Sequence, residues 1–185
     1  MKAFFPIILP LFIFLTLPCL TQAQSSFPKR NLKFGFGSSI YGESDFQGKT
    51  RYLEYERQLF SRFSLGVQGD WGNAQYHAAS IENKLRRLGA TAHLFFAPIR
   101  KSNNQLKLGF GLTYQNSRYD FAALQPNETP NLPVAYSESE RGYSAILEYE
   151  VFIIRNWSIG TRVAIQQFGD QQRNYFWGLN TGIRF

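Results

Sequence analysis

From Asn31 to the C-terminus, apolar residues recur at every second position in eight separate runs, the pattern of strands with one oily and one polar face. The first run, Asn31 to Ile40, sets Leu32, Phe34, Phe36 and Ile40 against Lys33, Gly35, Gly37 and Ser39. The third, Phe63 to Trp71, sets Phe63, Leu65, Val67 and Trp71 against Ser64, Gly66, Gln68 and Asp70. The fifth, Gln105 to Gln115, opposes Leu106, Leu108, Phe110, Leu112 and Tyr114 to Lys107, Gly109, Gly111 and Thr113. The sixth, Gly142 to Ile154, carries Tyr143, Leu147, Tyr149 and Val151 against Ser144, Glu148 and Glu150. The seventh, Asn156 to Gln166, carries Trp157, Ile159, Val163 and Ile165 against Ser158, Gly160, Arg162 and Gln166. The eighth, Asn174 to Phe185, carries Tyr175, Trp177, Leu179, Ile183 and Phe185 against Gly178, Asn180, Gly182 and Arg184. The second and fourth are less regular. Thr50 to Leu59 pairs Leu53, Tyr55 and Leu59 with Glu54 and Glu56 but puts Arg51 and Arg57 on the apolar side. Arg86 to Phe96 opposes Leu88, Ala90, Ala92, Leu94 and Phe96 to Arg87, Gly89, Thr91 and His93.

The connections fall into two classes. Those after the second, fourth and sixth runs are short or moderate: Phe60–Arg62, Ala97–Asn104 and Arg155. Those after the first, third and fifth are longer: Tyr41–Lys49, Gly72–Leu85 and Asn116–Arg141, the last with three prolines, whereas the one after the seventh, Phe168–Arg173, is short. An even number of antiparallel strands, with short turns at one end and long connections at the other, predicts an eight-stranded, all-β, up-and-down transmembrane barrel.

Periodicity alone does not say which face turns outward. A soluble eight-stranded carrier would hold apolar residues inside. Here the polar face is rich in glycine, which weakens a solvated sheet but fits a crowded interior. The same face carries Lys33, Arg87, Lys107, Arg162 and Arg184 against Glu54, Glu56, Asp70, Glu148 and Glu150, five cations to five carboxylates. Side chains fill the interior of a closed barrel of this size, and buried ions must pair. The expectation is a lumenal charge network, with the apolar face toward lipid. Trp71, Tyr143, Tyr175 and Trp177 near one end, and Phe63, Phe96, Trp157 and Phe185 near the other, would supply the two aromatic girdles.

Composition adds three points. Aromatic residues reach 17%, a high value that points toward strands and membrane interfaces. The single cysteine, Cys19, leaves no disulfide to form within the chain. The formal charge is +7, and Lys29, Arg30, Arg62, Arg100, Lys101 and Arg155 gather at the short-turn end. Basic and aromatic residues do not share one exposed face, so nucleic acid is not an expected partner. Residues 1–23 read as a cleaved export signal: Lys2, the apolar Phe4–Leu17, then Thr21-Gln22-Ala23. Pro6, Pro10 and Pro18 interrupt this stretch, and a spanning helix needs about 20 apolar residues. The barrel domain is then 24–185.

On these residues the chain resembles the small OmpA/OmpX-type outer-membrane barrels. The resemblance implies that Tyr175, Trp177, Leu179, Ile183 and Phe185 form a C-terminal signal read by the barrel-assembly machinery. It also implies outer-membrane location among lipid and lipopolysaccharide. No catalytic, cofactor or metal site is expected. His77, with Ser80 and Glu82 nearby, is the one weak Ser–His candidate. Eight-stranded barrels that deacylate lipid A are similar in size, but their His and Ser two apart on one strand are absent. His93 reads as packed inside. Segment 116–141 carries Tyr119, Phe121, Leu124, Leu132, Val134 and Tyr136, which suits either an extracellular ligand or a protruding hairpin. The expected function is non-enzymatic surface interaction, adhesion or envelope stability; a lipid-modifying enzyme, a narrow channel and a soluble carrier are the alternatives.

Overall fold

The computed structural model describes residues 30–42, 46–78, 81–121, 134–154, 156–169 and 172–185, with side chains at 76–78, 81, 82, 121 and 134 excepted. The export signal expected at 1–23 lies outside these residues. Eight strands follow one another: β1 (Arg30–Tyr41), β2 (Phe46–Gln58), β3 (Phe63–Ala78), β4 (Ile81–Arg100), β5 (Asn104–Phe121), β6 (Val134–Ile154), β7 (Trp157–Phe168) and β8 (Gln172–Arg184). Each pairs antiparallel with the next, and β1 pairs with β8, so the sheet closes on itself. Reciprocal bonds between Arg30 and Phe185, 3.2 and 3.1 Å, complete the seam at the short-turn end. Among the described residues, closure leaves no unpaired edge over the span shared by all eight strands, the condition for a sheet that meets hydrocarbon; beyond it, residues 134–141 of β6 pair with β5 alone.

The alternation foreseen in the sequence sets the two surfaces. Leu32, Phe34, Phe36, Leu65, Val67, Leu108, Phe110, Leu112, Leu147, Val163, Leu179 and Ile183 are exposed on the outside. Their neighbours along each strand are buried inside, and most of the buried side chains are polar or charged. The inside-out polarity belongs to all eight strands.

The strands run further than the pattern suggested. β6 has 21 residues, β4 has 20 and β5 has 18, whereas β1 and β7 have 12. About 9–11 tilted residues cross a bilayer, so the longer strands project beyond it. Most of segment 116–141 is therefore a hairpin: β5 and β6 stay paired from Asn104↔Val151 to Phe121↔Val134. At the other end β4 continues past Pro98 through a bulge between Phe96 and Ile99, which accommodates a residue with no N–H to donate. The turn to β5 then shrinks to Lys101–Asn103, closed by Lys101 N–H donating to Asn104 at 2.8 Å.

Candidate functional site

All ten ionic residues singled out from the sequence lie in the barrel interior, none more than 7% exposed. Lys33 projects from β1 into a group of carboxylates: its Nζ is 2.5 Å from Glu54, 2.8 Å from Glu56 and Glu148, and 3.5 Å from Glu150. Lys107 of β5 enters the same group, 2.8 Å from Glu56, 2.6 Å from Glu148 and 3.2 Å from Glu150. Arg162 of β7 closes the opposite side. Its Nη1 and Nη2 donate to the two oxygens of Glu54 at 3.0 and 2.9 Å, and its Nε donates to Glu148 at 2.5 Å. Arg184 reaches Glu150 at 3.5 Å near the short-turn end. The alternation that puts successive inward residues two apart on one strand makes Glu54–Glu56 and Glu148–Glu150 adjacent steps of one ladder.

Asp70 and Arg87 form a separate pair at 2.7 Å, with Arg87 also donating to Gln166 at 2.7 Å. Gln68 links the two groups. Its amide oxygen accepts from Arg162 at 2.7 Å and its amide nitrogen donates to Asp70 at 3.4 Å. Glu56, Glu148 and Glu150 bring carboxylate oxygens within 4.8 Å of one another, a spacing that could hold a cation. The ammonium groups of Lys107 and Lys33 already stand among them.

Two interior side chains were not foreseen: Phe95 and Tyr52. The Phe95 ring is fully buried, with the Lys33 and Lys107 nitrogens 5.1 and 5.3 Å from its centroid and the Arg162 guanidinium at 5.9 Å. Arg162 also lies 4.4 Å over the ring of Tyr52. These rings explain two interior glycines. Tyr52 is the cross-strand partner of Gly35, and Phe95 of Gly109. A Cβ on Gly35 would lie 2.2 Å from the Tyr52 ring, and one on Gly109 would lie 2.5 Å from Phe95. The glycines make room for cation-binding aromatics as well as for ions.

Above Asp70 and Arg87 the interior gains an apolar cluster, beside the buried amides of Gln115 and Asn174. Tyr41, Phe46, Ala74, Leu85 and Tyr119 pack together at the long-loop end. Tyr119 meets Phe46 edge-on at 6.1 Å and stacks on Tyr136 at 4.7 Å. Burial raises the Tyr119 hydroxyl above its ordinary pKa, and the hydroxyl lies 3.3 Å from the Gln172 amide. The outer surface at this level carries Lys49, Lys84, Arg86, Asn116 and Arg118.

His93 lies inside against Phe95, ring centroids 5.4 Å apart. Its nearest carboxylate, Glu54, is 3.8 Å away, and among the described residues neither ring nitrogen has a hydrogen-bond partner. A general base needs a partner at about 2.6–3.2 Å. The side chains of His77, Ser80 and Glu82 lie outside the described set; their strands place His77 opposite Glu82. Tyr175, Trp177, Leu179 and Ile183 of β8, and Phe185 just after it, are 37–61% exposed on the outside.

A closed antiparallel eight-stranded barrel with apolar residues outside and ionic residues inside is the fold of the small outer-membrane barrels, in agreement with the resemblance read from the sequence. Neisserial surface protein A matches with a TM-score of 0.63 at 13% identity, over 85% of this chain and 97% of that one. The outer membrane protein OprG from Pseudomonas aeruginosa matches with 0.61 at 10% identity, over 86% and 97%. Ail, the attachment invasion locus protein of Yersinia pestis, matches with 0.57 at 14% identity, over 86% and 99%. No protein-family model matches the chain, and no curated protein matches it by sequence. What is shared with these structures is the fold.

Proposed function

We propose that this chain is an integral outer-membrane protein, exported by a cleaved signal at residues 1–23, that acts without catalysis. Its barrel is a rigid support sealed by paired charges, and its β5–β6 hairpin offers a surface for an extracellular ligand or adhesion. The observation that carries this reading is the outward apolar belt around a paired ionic interior. Such a surface is unstable in water and suited to acyl chains. The hairpin supports the surface role, since its outer part, 135–139, is exposed on both faces and so adds little to the barrel's packing. One structural relative carries attachment in its own name, which is consistent with an adhesive role here. The outward residues of β8 suit a strand read by the assembly machinery before its neighbours pair.

The reading is tested on membranes from cells making the full chain. The protein should need detergent for extraction and should migrate differently on gels before and after heating. Appearance in the soluble fraction would leave the carrier. Turnover of labelled lipid A, lost on His77→Ala, would replace the non-catalytic reading with the lipid-modifying one.

A further inference from the structure

The outward face is not evenly filled by large side chains. Between Val67, Ala90, Ala92, Leu112, Tyr114 and Tyr143 lies a groove of about 580 Å³, open to the lipid side. It exists because small residues stand beside tall ones. Gly69 and Ala90 are cross-strand partners, as are Val67 and Ala92, and a Cβ on Gly69 would meet no atom within 4 Å. Arg141 lines the groove where it opens toward the long-loop end.

Beyond that rim the outer surface turns cationic. Lys49 of β2, Asn73 of β3, Arg86 of β4 and Arg118 of β5 are successive cross-strand partners, and all four are exposed. Arg86 and Arg118 stand directly opposite one another, an arrangement of like charges that costs stability unless an anion lies between or beside them. Arg118 is engaged by Asp120 at 3.3 Å. Among the described residues no ion pair engages Lys49, Arg86 or Arg141. Arg86 is four residues beyond Ala90 on the same strand, about 13 Å along it. A chain of hydrocarbon lying in the groove would therefore end at Arg141, with Arg86 further out and two strands away.

We propose that this face holds one phosphorylated lipid of the outer leaflet, an acyl chain in the groove and its phosphorylated headgroup across Arg141 and Arg86. The inference rests on the membrane reading above. Any lipid tail fills an outward groove, so the groove by itself selects nothing. Selection comes from the guanidinium groups, whose forked donors suit phosphate oxygens.

The test uses the intact barrel folded in detergent, titrated with lipid A carrying its phosphates and with the same lipid dephosphorylated, bound lipid being read by native mass spectrometry. The phosphorylated form should be held about tenfold more tightly. The double variant Arg86→Gln, Arg141→Gln should lose that preference, whereas Ala92→Leu should weaken both lipids alike and leave the ratio unchanged. Equal retention of the two lipids by the unaltered protein overturns the proposal. Competition by inorganic phosphate with no effect of Ala92→Leu also overturns it, leaving a site for free anions. A dimer abolished by Ala92→Leu would assign the groove to a second copy of the chain instead. Heat-modifiable migration of the same sample separates the two levels: its loss removes the membrane reading, while its persistence without lipid preference removes only the lipid site.

Discussion

Arg162 binds both oxygens of Glu54 and one of Glu148 beneath the ring of Tyr52, at a depth where water supplies no alternative. Its removal leaves two buried carboxylates short of a cation, and breaking a buried pair from one side costs about 3–5 kcal/mol. Arg162→Met should lower stability by roughly that amount, read from urea unfolding in lipid vesicles, and Glu54→Gln in the same chain should recover part of the loss. An unchanged unfolding midpoint in Arg162→Met would mean that the pairs contribute no stability. Gly35→Ala probes the space beside them: its Cβ has no room unless the Tyr52 ring moves, so a loss of about 1–3 kcal/mol is expected, smaller when Tyr52 is replaced by Ser. At this scale the ionic residues were legible because each falls on the polar side of an alternating run. Tyr52 and Phe95 were not, because an aromatic residue on the inward side, as in Leu94-Phe95-Phe96, reads as part of the oily face.

The eight strands were legible as elements, but their outer ends were not, and β5 shows the reason. From Leu106 to Tyr114 its apolar residues face out and Lys107 faces in. Beyond that, Asn116 and Arg118 face out while Tyr119 is buried within. The period of two continues while its phase inverts, so a reading that follows one phase stops at Gln115. The same inversion stopped β3 at Trp71 and started β4 at Arg86, where Asn73 and Arg86 face out and Ala74 and Leu85 face in. Its physical cause is the change of outside solvent: where acyl tails give way to water, polar residues belong outside and apolar ones inside. The inversion therefore marks the membrane boundary on these three strands. An arginine scan along the outer face of β5 should report it directly. Phe110→Arg should cost about 2–4 kcal/mol, as at a bilayer midplane, and Asn116→Arg about 0–1. Equal costs at the two positions, measured by unfolding in vesicles, would refute this boundary.

Taken whole, the molecule closes its interior twice. One band is ionic, with Lys33, Lys107 and Arg162 among four carboxylates around Phe95. The other is apolar, with Tyr41, Phe46, Leu85 and Tyr119 packed at the long-loop end. We expect the two to obstruct permeation for different reasons: fixed ion pairs occupy the path in the first, and packed side chains in the second. Barriers in series resist until the last is removed, so opening either alone should leave a membrane tight. The unaltered protein in a planar bilayer should show no steady conductance. Arg162→Ala with Glu54→Ala, which removes a cation and an anion together and so avoids an orphaned charge, should still conduct little. Phe46→Ala with Tyr119→Ala should do the same. The four changes combined should give openings that neither pair produces, provided the chain still shows heat-modifiable migration. Conductance from either pair alone would mean that a single band does the sealing; conductance from the unaltered chain would make the barrel a channel and its paired interior a selectivity device.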